Sequence, residues 1–156
     1  MKNNFYNKPI GNVYLKPSLK SEVSTQILYG EKFKILSKTK GWIKIQTKFD
    51  RYSGFIKDGN FMISFKPYYK IFSKKSWIYK KFKSNFRKTK KYLYFSSSIQ
   101  NLDSKKDFIK FDKNSWIKKK DIKKHNHTEK NYKKILKLFL NKKYLWGGKS
   151  VDGINC

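Results

Sequence analysis

The sequence predicts a mainly β chain of two small modules, followed by a single amphipathic helix. Three observations carry that prediction. Short apolar–polar alternations recur from Gly11 to about Ile63, each stopped by Gly, Pro or Asp-Gly. A Trp-Ile-Lys run comes near the end of that block at 42–44 and returns at 116–118. The pattern then changes to helical spacing over about 129–141.

In the first module, Asn12-Val13-Tyr14-Leu15-Lys16 alternates and stops at Pro17. Val23 to Tyr29 is rich in β-formers and closes at Gly30, and Lys32-Phe33-Lys34-Ile35-Leu36 alternates again. Trp42-Ile43-Lys44-Ile45-Gln46 follows Gly41, and Gly54-Phe55-Ile56-Lys57 ends at Asp58-Gly59. Period two buries one face of each strand, and strands this short and evenly spaced suit a small barrel or sandwich.

A second, weaker copy follows. Its strands are Lys70-Ile71-Phe72, Trp77-Ile78-Tyr79, Tyr92-Leu93-Tyr94-Phe95, Phe108-Ile109-Lys110-Phe111 and Ser115-Trp116-Ile117-Lys118. Residues 80–91 are dense in lysine and are expected to be a solvated loop. The helix should begin at a Thr128 N-cap with Glu129 in its first turn. Tyr132, Ile135, Leu136, Phe139 and Leu140 then fall on one apolar stripe. The expected domains are 9–65, 68–122 and 128–156.

Aromatic residues make up 18% of the chain, which a disordered polypeptide would not carry. The formal net charge is +29, from 39 Lys and Arg against 10 Asp and Glu. That charge has two readings. One is a polyanion surface for DNA or RNA. The other is nucleotide bias, because Lys, Asn, Ile, Phe and Tyr share A/T-rich codons and the chain contains no Ala. Only Arg51 and Arg87 are arginine, the residue favoured for base readout and bidentate phosphate contacts, so specific nucleic-acid binding is not expected.

With one cysteine, Cys156, no intrachain disulfide can form, and the redox compartment stays open. The first nine residues lack the apolar run of about 7–15 residues that a signal peptide needs, and no stretch approaches the ~18 of a membrane span. A soluble, cytoplasmic protein with no membrane partner is expected.

The chemistry is concentrated in Tyr144-Leu145-Trp146-Gly147-Gly148-Lys149-Ser150-Val151-Asp152-Gly153-Ile154-Asn155-Cys156. From position alone, Cys156 has two readings: a nucleophile behind a glycine-rich, aromatic-flanked loop, or a small buried hydrophobe. Taken together, the residues resemble the opening of the catalytic domain of NlpC/P60 cell-wall peptidases, Y-x-W-G-G-x-S-x-x-G-x-D-C. The match holds seven fixed identities and departs at Asn155, where the family commonly has Asp. Val13 to Glu31, Gly41-Trp42 and Asp50-Arg51-Tyr52-Ser53-Gly54-Phe55 resemble the first bacterial SH3 module of such enzymes, which are γ-D-glutamyl-L-diamino-acid endopeptidases.

The resemblance implies two small SH3-like barrels followed by the first helix of an incomplete α+β papain-like domain. It implies Cys156 as nucleophile and Tyr144 as an oxyanion-binding hydroxyl, against the alternative of a packed aromatic. Trp146 would shape the pocket wall. Tyr52 would face the free amine of an N-terminal L-Ala-γ-D-Glu-diamino-acid peptide, against the alternative of a surface aromatic on a barrel loop. Asn155 would stand near that amine without the negative charge of Asp. The partner is then a peptidoglycan peptide; the alternative is a non-catalytic SH3-type module that binds wall peptide or polymer.

No cofactor is expected, and no metal, because zinc wants three or four converging ligands. The base His of the family lies downstream of the nucleophile, so the chain ending at Cys156 is expected to be an inactive fragment of a longer enzyme. His125 and His127 match no family position and are expected in a solvated interdomain loop.

Overall fold

The computed structural model describes residues 4–155. The chain divides into two compact units: the described residues up to Phe65 with those from Asn141 onward, and Lys66 to Leu140. Both are built mainly of antiparallel strands.

The first unit contains β1 (Asn4–Phe5), β2 (Ile10–Tyr14), β3 (Val23–Leu28), β4 (Lys32–Thr39), β5 (Trp42–Thr47) and β6 (Ser53–Lys57). They form one six-stranded sheet in the order β1-β4-β5-β6-β2-β3. The alternation in the sequence is what fixes the faces. In β5, Ile43, Ile45 and Thr47 are buried, while Lys44 between them is exposed. Ile43 stands opposite Ile56, and Ile45 opposite Gly54. Ile43, Ile45 and Ile56 join Tyr6, Val13, Ile27 and Phe33 in one core, with Ile35 and Phe61 packed against it. Trp42 lies on the other face of β5. Its ring meets Tyr14 edge-on at 5.7 Å, and the Lys57 ammonium sits 4.2 Å above it. A lysine can therefore cover an apolar face while its charge stays in water.

The second unit contains β7 (Tyr69–Ile71), β8 (Lys75–Phe82), β9 (Asn85–Tyr94), β10 (Ser98–Ile99), β11 (Asp103–Lys105), β12 (Phe108–Asp112), β13 (Ser115–Lys118) and β14 (Ile122–Lys124). One sheet runs β10-β7-β14 and the other β11-β12-β13-β8-β9. Ile71, Leu93, Ile99, Ile109, Phe111 and Ile117 are the largest of its fully buried side chains. Trp116 and Ile117 on β13 are buried as Trp42 and Ile43 are on β5.

Residues 80–91 are not a loop. They are the outer half of the β8–β9 hairpin, turning at Lys83, which takes the left-handed region at φ 52°. What holds the hairpin is its apolar face. Phe86 stacks on Phe108 with centroids 4.0 Å apart and meets Trp116 edge-on at 5.2 Å. Lys88 lies 3.8 Å over the Trp77 ring. Thr89 donates its hydroxyl to the Ile78 carbonyl at 2.8 Å. The amide of Asn114 brackets Lys81, accepting from its N–H and donating to its carbonyl, both at 3.0 Å.

The helix α1 (Tyr132–Phe139) is shorter than expected and starts later, after Asn131. Thr128 does not cap it. Glu129 lies outside the first turn, where its carboxylate accepts the Asn131 N–H at 3.1 Å and faces Lys134 at 3.7 Å. The apolar stripe is present but not buried: Tyr132, Leu136 and Leu140 are exposed, while Phe139 meets Phe95 edge-on at 5.7 Å. His125 and His127 lie in the irregular stretch after β14, His125 half-buried and His127 exposed, as part of the second unit. The His125 N–H donates to Tyr68 at 2.9 Å and its ring faces Ser98, while the His127 ring meets Phe72 at 5.3 Å. Burial, then the nearby Lys70 charge, lowers the His125 pKa. Among the described residues no helix is long and apolar enough to cross a membrane.

Candidate active site

The segment from Tyr144 to Asn155 folds back on itself. β15 (Lys149–Ser150) pairs with β16 (Gly153–Ile154) across the turn at Val151-Asp152. The residues before the glycines join in: Leu145 donates to the Ile154 carbonyl at 2.9 Å, and Ile154 to the Lys143 carbonyl at 3.2 Å. Asn155 donates its N–H to Gly148 at 3.0 Å, which brings the end of the segment back beside its two glycines.

Two of those glycines are required by geometry. Gly147 has φ +69°, and a Cβ there would stand 3.1 Å from both the Val23 side chain and its carbonyl. A Cβ on Gly148 would meet the Gly153 carbonyl at 2.5 Å. The motif's glycines therefore let the segment fold tightly and lie flat against β3.

A side chain that the motif leaves variable fixes the segment further. Lys149 places its ammonium 2.8 Å from Glu31 Oε1 and 2.7 Å from Asp50 Oδ2. These side chains are 21%, 17% and 19% exposed. The Lys149 N–H donates to Gln26 Oε1 at 2.9 Å, and Gln26 in turn donates to Asn12 at 3.1 Å. Each carboxylate has its second oxygen occupied: Glu31 Oε2 accepts the Leu28 N–H at 2.8 Å, and Asp50 Oδ1 accepts the Thr47 hydroxyl.

Burial acts to raise the Asp50 pKa, but the bonds from Lys149 and Thr47 and the Lys149 charge outweigh it, leaving it below its ordinary range. Burial likewise acts to lower Lys149, and the two carboxylates outweigh it, leaving its pKa raised. Both groups are held charged.

Tyr52 follows Asp50 by two residues, in the turn between β5 and β6. It is 49% exposed, and its carbonyl accepts the Thr47 N–H at 2.9 Å. The Asp50–Lys149 pair thus ties the loop bearing Tyr52 to the segment bearing Tyr144, Trp146 and Asn155. Tyr144 is 59% exposed and Trp146 61%, so neither side chain is a packed core aromatic. Cys156 lies outside the described residues. Phe49, which sequence reasoning passed over, is exposed in the same turn as Tyr52. Glu31, Asp50 and Lys149 were also passed over, because nothing local sets Lys149 apart from the many other lysines. Among the described residues no group of three or more His, Cys, Asp or Glu could hold a metal ion.

Residues 13–60 match the family model of the bacterial dipeptidyl-peptidase SH3 domain. The fold as a whole is similar to the crystal structure of a NlpC/P60 family protein from Bacillus cereus ATCC 10987, with a TM-score of 0.78 at 12% identity. That likeness covers 99% of this chain and 68% of the other. No curated protein matches the chain. The chain is thus mainly β, with residues 13–60 similar to a peptidase-associated SH3 domain and a fold similar to that of a NlpC/P60 family protein.

Proposed function

We propose that this chain supplies the recognition module and the nucleophile of a cysteine peptidase that cuts peptidoglycan peptides at the γ-D-Glu–diamino-acid bond. The observation that carries the reading is the attachment of the Tyr144–Asn155 segment to the SH3 domain through Lys149 and Asp50, beside Tyr52. A peptide-binding surface and a nucleophile-bearing segment then share one rigid support, which is what a positioned attack requires.

In this mechanism the Cys156 thiolate adds to the γ-D-Glu carbonyl carbon. The oxyanion that develops is stabilised by the Tyr144 hydroxyl. Collapse breaks the C–N bond, the diamino-acid amine leaves with a proton, and water then hydrolyses the thioester. The thiol proton would go to the base imidazole that the family resemblance puts downstream of the nucleophile, outside residues 1–156, and the same imidazole would return it to the leaving amine. His125 and His127 do not take that role; both are engaged within the second unit. Trp146 would form the pocket wall. Tyr52 and Asn155 face the substrate's free N-terminal amine, and a neutral Asn there weakens selection for the charged ammonium.

The native protein should release the diamino acid from L-Ala-γ-D-Glu-diamino-acid tripeptide, and Cys156→Ala should abolish release. A second reading draws on the SH3 match over 13–60: a module that binds wall peptide without cutting it. Peptide binding by the native protein and by Cys156→Ala alike, with no hydrolysis by either, would establish that reading and remove the first.

A further inference from the structure

We propose that Lys149 is a positioning residue: by gripping Glu31 and Asp50 it seats the nucleophile-bearing segment on the SH3 domain, in register with the loop that carries Tyr52. The proposal rests on the peptidase reading above and adds to it a residue that the motif leaves unspecified.

The chain has 10 acidic residues among 39 basic ones, yet two of the 10 face this one ammonium. A codon bias toward lysine supplies lysines; it does not bring two scarce carboxylates to the same one. Nor is this a loose surface pair. Both carboxylates are also held by their own second bonds, to Leu28 and to Thr47, independently of the lysine. The Lys149 main chain is fixed as well, through Gln26 on β3.

The three attachment points come from different parts of the domain. Gln26 lies in β3, Glu31 in the turn after it, and Asp50 in the turn between β5 and β6. Three such points define an orientation, where a single contact would allow a swing. One of the three lies two residues from Tyr52. A shift of that turn relative to Tyr144 and Asn155 would change where the peptide amine sits against the reacting carbonyl. Productive binding should suffer more than the chemical step.

The test compares the native protein with Lys149→Met, Lys149→Arg and the triple variant Lys149→Met/Glu31→Gln/Asp50→Asn. Two readouts are taken: amide hydrogen exchange across the chain, and KM and kcat on the tripeptide. Lys149→Met should speed exchange over 143–155 by about tenfold or more, as expected for breaking a largely buried pair, while β2–β6 stay protected. It should raise KM about tenfold and leave kcat within about twofold. Lys149→Arg should restore both. The triple variant should match Lys149→Met in KM, showing that the loss is of the grip and not of two carboxylates left facing each other.

Unchanged exchange over 143–155 in Lys149→Met would overturn the proposal. So would exchange that rises equally across β2–β6, which would make Lys149 a general stabiliser. A fall in kcat with KM unmoved would overturn it too. If the native protein cuts no tripeptide, the peptidase reading falls, and the exchange comparison still decides whether Lys149 seats the segment.

Discussion

Lys149 and Asp50 meet at 2.7 Å although 99 positions separate them, joining the glycine-rich segment to the turn between β5 and β6. This contact makes the pH behaviour of the segment predictable. Asp50 has a lowered pKa, so its contribution is fully present above its unfolded value and is lost as pH falls through the lowered one. Lys149 has a raised pKa, so its contribution is fully present below its unfolded value and is lost as pH rises through the raised one. Attachment of 143–155 should therefore hold from mildly acid to strongly basic pH and fail beyond both ends. Amide exchange of those residues as a function of pH checks this. Release near neutral pH would contradict it.

Gly147→Ala should loosen the segment without unfolding the SH3 domain. The left-handed φ costs an L-residue about 1–2 kcal/mol, and the new Cβ would press on Val23 at 3.1 Å. Tryptic cleavage at Lys142 and Lys143 should quicken, while β2–β6 keep their amide protection.

Ile43→Ala and Ile117→Ala remove fully buried side chains from the two units separately. Each should cost about 2–5 kcal/mol. Because the cores are distinct, urea unfolding followed by region-resolved exchange should show Ile43→Ala exposing β2–β6 and Ile117→Ala exposing β8–β13. A uniform loss in both variants would mean that the two cores unfold as one.

Phe86→Ala tests the lysine-rich hairpin. The variant loses the stack on Phe108 and the edge contact with Trp116, at about 1–3 kcal/mol. Amides of 80–91 should then exchange near the rate of free peptide. Ser84→Ala, at the turn, should leave them protected.

The strands of the SH3 domain were legible in the sequence because period two is a strong signal when one face is wholly apolar. Ile43, Ile45 and Thr47 inside, with Lys44 outside, make that signal plain. The shorter strands β1, β10, β11 and β14 span only two or three residues, too few for any period to register. The hairpin at 80–91 was misread for a different reason. Its lysines look like a loop when read locally, while the ring that holds it, Phe86, finds its partners 22 and 30 positions further on. The helix start was misplaced because Thr128 is a good cap only if the backbone turns there, and Glu129 instead holds the Asn131 N–H. In the candidate site, Tyr52, Tyr144, Trp146 and Asn155 were read from a resemblance. Lys149 could not be, since only the fold brings Glu31 and Asp50 to it.

The spacing of those partners also sets an order of assembly. Glu31 precedes Lys149 by 118 residues, and a complete second unit lies between them. Contacts this distant in sequence are slow to form by chance, and domains emerging from the ribosome fold from the N-terminus onward. The SH3 sheet can close, and its two carboxylates can be oriented by Leu28 and Thr47, while the lysine is still to be translated. The segment 143–155 is thus a late arrival on a sheet that is already closed.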